Sequence, residues 1–566
     1  MIGPRCVVYL LLLATLSACA PASRGPARGA DAPAPARSAG PKRIVAAMKT
    51  VPPFLYQKLN PANVSGGPEV CDLVAGALSV RDDRGELVPR LAEAVPSAEN
   101  GLWQVFPDGR MEMTWRLREN ARWHDGTPMT AEDLIFTATV FRDPEFAVLR
   151  ERGYELIDNV EAMDPRTVKV SWRRPFIDAD TLFGLIGIPM PRHLLERTYH
   201  EDKASLLDSS VFSQQLVNAG PFKLKEWAQG SHVVLEAFDQ YALGRPKVDE
   251  VEVRFITDDN TLIANILSGT VDMTLGRSIS VEQALQVRDQ WRDGVAEFKS
   301  LDIWIVIYPQ FLNPSPAVVV NPQFRKALVH AIDRQELVDS IQHGLVPIAD
   351  AVVSPNLDAY RDVQSSVPRY DFDLRRTSQL LEELGYARAG DGFYRDPAGQ
   401  RLGVQIQVTT VLDIQPKTAL PVADYWQRAG VGVDVDVVPP QRGQDLEYRA
   451  NFPAFALQRQ PANLGPLPNL HSAQARTAER GFTGTNNARY IDPSMDALVE
   501  RYLTTIPARE RVDAAGAIIR RISDELIWMG LFFDTEPSLL NNRLVNVRAK
   551  PDDGRQTWNS REWGVK

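Results

Sequence analysis

"DEVEVRFITDDNTLIANILSGTVDMTL", residues 249–275, changes its period twice, and that change decides the fold class. Asp249–Ile256 alternates charged and apolar residues, the pattern of a strand with one buried face. Asp258–Leu267 has helical spacing, an Asp suited to cap its start and Gly269 suited to end it. "VDMTL" (271–275) then reads as a second strand. A strand, a helix and a strand in this order predict parallel strands joined by a right-handed crossover. The same grammar returns far along the chain: "GVQIQV" (403–408), a helix from Pro416 to Ala429, and "VGVDVDVV" (431–438). Two such units predict an α/β protein with more than one sheet. Between them, "NPQFRKALVHAIDRQELVDSI" (321–341) reads as one helix with Phe324, Ala327, Leu328 and Ala331 on its apolar stripe. "DFDLRRTSQLLEELGY" (371–386) reads as another, closed by Gly385.

The amino end is different in kind. Val7–Leu16 is an apolar run behind Arg5, too short for a spanning helix, which needs about 20 residues. It has the form of an export signal ending in the small residues Ser17 and Ala18, followed at once by Cys19. Ala20–Pro41 contains no aromatic and no large aliphatic residue, so it cannot bury enough surface to offset its ordering entropy. A flexible tether over 19–41 is expected. With Cys6 in the signal, Cys71 is the one cysteine left besides Cys19, so no internal disulfide is expected. Cys71 reads as a buried small hydrophobe rather than a reactive thiol.

Composition narrows the function classes. With 44% hydrophobic and 24% charged residues, the chain resembles a soluble globular protein, and its 566 residues call for two or three domains. A net charge of -9 and the lack of a basic stripe argue against nucleic acid as a partner. The seven histidines are scattered and no Cys-x-x-Cys occurs, so no metal site is expected. No Gly-x-Ser-x-Gly elbow, phosphate loop or dinucleotide fingerprint is present. The acidic pairs Asp82–Asp83 and Asp258–Asp259 read as turns and caps. The balance favours a binding protein without catalysis or cofactor.

Two resemblances sharpen this. Leu16-Ser17-Ala18-Cys19 resembles a bacterial lipobox, which implies cleavage before Cys19 and acylation of its thiol. Several acyl chains give a firm anchor, at about 0.8 kcal/mol per buried methylene. The remaining chain resembles the family 5 extracytoplasmic solute-binding proteins, the receptors of peptide and nickel ABC importers. Six segments carry the resemblance in order: "GELVPRLAEA" (85–94), "MTWRLRENARWHDGTPMTAEDLIFT" (113–137), "NAGPFKLKEWAQGSHVVLEAF" (218–238), "FRKALVHAIDRQELV" (324–338), "SQLLEELGY" (378–386) and "YIDPSMDALVERY" (490–502). The Asp125-Gly126-Thr127-Pro128 turn and the Thr130/Asp133 capping pair read as structural, and His124 is not read as a ligand or catalyst.

The resemblance implies a large three-domain periplasmic-binding-protein-like fold with a hinged ligand cleft. Residues 42–78, 209–300 and 528–566 would form domain I, 79–208 domain II and 301–527 domain III. It implies a monomer that captures an extracytoplasmic solute, most often a peptide, and delivers it to a membrane permease and its ATPase. The alternatives are a sensor or chaperone on the same fold, or a receptor for a glycan or metal chelate.

Peptide receptors of this family carry an acidic motif that meets the peptide ammonium. The corresponding stretch here, "FALQRQPANLGPLPNLHS" (455–472), has no acid. It offers Gln458, Arg459, Gln460, Asn463 and Asn469, which suit neutral polar or anionic groups. A free ammonium would then be blocked, left in solvent or paired elsewhere, with Glu69 and Asp72 as candidates. Trp304 and Tyr308 of "LDIWIVIYP" (301–309) are four apart and share one strand face, either lining the cleft or packing in the core. Asn486 and Asn487, in the polar stretch "GFTGTNNARY" (481–490), complete the candidates.

Overall fold

The 249–275 stretch folds as strand Glu250–Phe255, helix Asp259–Leu267 and strand Met273–Thr274. The computed structural model that shows this describes residues 40–61, 64–184, 187–298, 301, 303–410, 413–443, 445–550 and 554–566. The signal, Cys19 and the tether up to residue 39 lie outside the described residues. The Asp258 side chain caps the helix by accepting from the Thr261 N–H at 2.8 Å, and Gly269 takes φ +73° beyond its end. The two strands do not touch. Each pairs in parallel with Arg43–Met48, which lies between them. That central strand is buried on both sides: Ile44, Ala46 and Met48 enter one core, while Val45 and Ala47 face another. The full sheet has seven strands in the order Gly294–Glu297, Ser538–Asn541, Met273–Thr274, Arg43–Met48, Glu250–Phe255, His232–Ala237 and Phe222–Ala228.

The second unit is also as expected. Strands Gly403–Val408 and Gly432–Val437 pair in parallel around helix Ile414–Arg428. They begin a five-stranded sheet continued by Phe455–Pro461, Ile303–Pro309 and Met529–Asp534. One expectation fails. Residues 321–341 form two helices, Pro322–His330 and Arg334–Ile341, because the Asp333 carboxylate accepts from the Glu336 N–H at 3.0 Å and starts a new helix there. The apolar stripe survives the break, since Phe324, Ala327, Leu328 and Ala331 are all fully buried.

A four-stranded sheet holds Trp103–Val105, Met111–Arg116, Thr167–Trp172 and Ile157–Asp164. The 113–137 segment is scaffold. Asp125 accepts from the Thr127 N–H at 2.9 Å, and Thr130 and Asp133 form the capping box of helix Ala131–Arg142. His124 is buried, with Nε2 3.1 Å from the Gly220 carbonyl and Nδ1 3.4 Å from the Asn218 N–H. Burial lowers its pKa to about 4, so it is a neutral hydrogen-bonding strut. Cys71 is buried, and burial pushes its thiol pKa up, as a packing role requires.

The chain enters the five-stranded sheet at Ile303 and leaves it at Asp534, and these two residues face each other across paired strands. Thr535–Pro537 then lead into Ser538–Asn541 of the seven-stranded sheet. Strand Met529–Asp534 thus belongs by pairing with the segment expected to end at 527, and the return to the first sheet follows Asp534. Among the described residues no helix is long and apolar enough to cross a membrane.

Candidate functional site

The two crossing strands and their neighbour Phe455–Pro461 build the candidate site. Cross-strand register sets Trp304 opposite Gln460, Val306 opposite Gln458 and Tyr308 opposite Ala456, all on one face. Trp304 and Tyr308 both pack edge-on against Trp528, with ring centroids 6.4 Å and 6.1 Å away. The rings are buried at 2% and 5% exposure, so they form a floor rather than an open wall. Gln458 stands above it, its Oε1 accepting from Gln460 Nε2 at 3.0 Å and Asn487 Nδ2 at 2.9 Å. Asn487 Oδ1 is buried and has no hydrogen-bond partner among the described residues. An unsatisfied buried amide oxygen costs about 1–3 kcal/mol, which a ligand N–H would recover.

Of the residues read from sequence, this face gathers Trp304, Tyr308, Gln458, Gln460 and Asn487. Asn486 serves its own turn, accepting from the Tyr490 N–H at 3.1 Å and donating to its carbonyl at 2.7 Å. Asn463 accepts from the Gly465 N–H at 2.9 Å, and Asn469 lies in the short helical turn Leu467–Leu470.

Arg459 lies apart from this face. Strand alternation turns it to the opposite face, where Nε donates to Asp534 at 2.6 Å and Nη2 donates to Glu536. Arg277 reaches the same Asp534, and Gln342 Nε2 donates to it at 2.8 Å. Burial alone would raise the Asp534 pKa. The Arg277 and Arg459 guanidiniums outweigh it and hold the carboxyl below its ordinary value. Arg459 is therefore part of an ion set at the point where the chain leaves the five-stranded sheet. Sequence reasoning named Gln460 without its pairing to Gln458, and it missed Trp528, Arg277, Asp534 and Glu536. Only Gln460 had a signal, its two-residue spacing from Gln458.

The two acids held in reserve also separate. Asp72 is taken by Arg555 at 3.2 Å and by the Thr557 hydroxyl at 3.3 Å. Glu69 lines a small pocket beside Glu536. A larger open groove, about 620 Å³, runs past His124, Asp125 and Phe238. Charged residues on its wall are paired among themselves, Lys223 with Glu236 and Arg245 with Asp239 and Asp249. No cluster of three or more potential metal-ligating His, Cys, Asp or Glu residues occurs among the described residues.

Known proteins share this architecture. The family description "Bacterial extracellular solute-binding proteins, family 5 Middle" matches residues 86–479. The oligopeptide-binding protein AppA of Bacillus subtilis is 23% identical over 526 residues, covering 90% of this chain and 89% of AppA. The structure superposes on NikZ from Campylobacter jejuni in complex with Ni(L-His), with a TM-score of 0.74 and 20% identity over 92% of this chain and 99% of NikZ. It also superposes on an oligopeptide-binding protein from Thermus thermophilus complexed with a pentapeptide, with a TM-score of 0.72 and 22% identity, covering 93% and 97% of the two chains. The match spans well over half the sequence, and the α/β architecture agrees along nearly all of it: the chain belongs to family 5 of the bacterial extracellular solute-binding proteins.

Proposed function

We propose that this protein is the substrate-binding lipoprotein of an ABC importer, anchored outside the cytoplasm through Cys19. It captures a peptide or peptide-like solute and hands it to a membrane permease and its ATPase. The observation that carries this reading is the Trp304–Tyr308–Gln458–Asn487 face, built on the strands by which the chain enters and leaves the five-stranded sheet. The entry at Ile303 and the exit at Asp534 lie side by side, a placement that suits a hinge because one bending line serves both. Amide side chains both donate and accept, so they match peptide groups, and the unpartnered Asn487 oxygen awaits an N–H. We take 42–78, 209–300 and the chain after Asp534 as domain I, 79–208 as domain II, and 301–534 as domain III.

Two measurements test the reading. Small-angle scattering is compared for protein as purified from its host and after solute is stripped by unfolding and refolding. The solute-bound form is expected to have the smaller radius of gyration, and identical profiles at full occupancy would remove the closure mechanism. For the anchor, Cys19→Ala is expected to move the protein from the detergent phase to the aqueous phase or leave it unprocessed. Unchanged partition would contradict lipidation at Cys19.

A further inference from the structure

A second site lies on the other side of the crossing, where helix Gly67–Val74 starts against the chain that follows strand Met273–Thr274. Gly276 (φ +60°) permits the approach, since a Cβ there would come within 2.3 Å of the Gly66 nitrogen. The approach leaves a small pocket of about 20 Å³ lined by Glu69, Glu536, Gln556, Thr274 and Ser538 among others. Gln556 is only 4% exposed, and its Oε1 has no hydrogen-bond partner among the described residues.

The charges around this pocket do not balance in the same way. Asp534 and Glu536 are matched by Arg277 and Arg459, and Asp72 by Arg555. Glu69 has no salt-bridge partner among the described residues. An enclosed carboxylate without a counter-charge is costly, so it either binds a proton or receives a cation. Burial, and then the neighbouring Glu536, hold its carboxyl up to about 8.

We propose that this pocket is a subsite for a primary ammonium group of the captured solute, with Glu69 as the counter-charge and Glu536, already paired with Arg459, and Gln556 Oε1 as the further acceptors. An ammonium has three N–H donors, and these residues supply three acceptors at one place. The pocket's room of about 20 Å³ holds one water-sized group, which an ammonium is, and not a whole peptide. The ammonium's carrier is either a peptide amino terminus or a lysine side chain, and on this point alone the proposal rests on the peptide-receptor reading.

The test has two arms. In the first, the full chain is heated with ethylammonium chloride or with sodium chloride at equal ionic strength at pH 8. Ethylammonium is expected to raise the melting temperature of wild type above the sodium control, and Glu69→Gln is expected to abolish that rise. Gln556→Met, which keeps the shape and removes the acceptor, is expected to reduce it. An equal rise in wild type and Glu69→Gln, or none in wild type, overturns the subsite. In the second arm, trialanine, N-acetyl-trialanine and N-acetyl-Ala-Lys-Ala are titrated calorimetrically. A lost charge-assisted contact is worth about tenfold or more in affinity, so acetylation should weaken trialanine by that factor in wild type and much less in Glu69→Gln. Recovery with the lysine peptide assigns the ammonium to a side chain instead of the amino terminus. A Glu69-dependent ethylammonium effect without binding of any of the three peptides supports the subsite and counts against peptide as the solute. Peptide binding that ignores both acetylation and Glu69→Gln overturns the subsite and leaves the receptor reading standing.

Discussion

The two faces of strand Phe455–Pro461 differ in kind. One carries Gln458 and Gln460, neutral amides over the Trp304, Tyr308 and Trp528 rings. The other carries Arg459 in an ion set with Asp534, Glu536 and Arg277. Neighbours in sequence thus do opposite work. The ionic face satisfies its charges internally and fixes the exit of the chain from the sheet. The amide face leaves an oxygen unsatisfied and so has capacity for a ligand.

Breaking the ionic face should give the largest effect. Asp534→Asn leaves two buried guanidiniums without a full counter-charge, and we expect a loss of about 3–5 kcal/mol in urea unfolding at pH 7. The pH dependence follows from the depressed folded pKa. The stabilisation is present above the ordinary value of 3.8 and is lost as pH falls through the lower folded value. Wild type and variant should therefore converge in acid. A variant as stable as wild type at pH 7 would show that the ion set is incidental.

Glu69 has the opposite sign and a smaller magnitude. Its folded pKa is raised from 4.5 to about 8 by burial first, then by Glu536, with Asp72 adding to the rise and Arg555 opposing it. Its favourable contribution is complete below pH 4.5 and disappears as pH rises towards 8. Glu69→Gln should match wild type near pH 4 and exceed it above pH 8 by about 2 kcal/mol, a figure discounted for partial solvent access to the pocket. Parallel stability curves from pH 4 to 9 would contradict this.

The amide face should answer in affinity instead of stability. Asn487→Ala removes an oxygen without a hydrogen-bond partner among the described residues and one donor to Gln458. We expect about tenfold weaker solute binding with little change in melting temperature. The smallest effect is expected at Asn469→Ala, within about twofold in affinity, as for substitutions away from a contact site.

How much of this was readable in the sequence depends on the range of the interactions. Both strand–helix–strand units were legible because strand alternation and helix spacing are local. The break at Asp333 was legible in principle, since Asp333 and Glu336 have the spacing of a helix start, but the apolar stripe continues across it and conceals it. Trp304 and Tyr308 were placed on one face by period-two spacing. The same rule separates Arg459 from Gln458 and puts the arginine on the face opposite the amides. The rest of the ion set was not readable. Arg459 meets Asp534 across 75 positions and Arg277 meets it across 257, pairings that only the sheet order creates.

Native mass spectrometry of protein purified from its own host tests the central claim, that the amide face holds the solute. Wild type is expected to carry a small-molecule adduct that disappears on denaturation, and a Gln458→Ala/Asn487→Ala double variant, prepared in the same way and equally folded, is expected to have lost most of it. Equal adduct occupancy in both proteins would contradict the assignment of this face as the binding site.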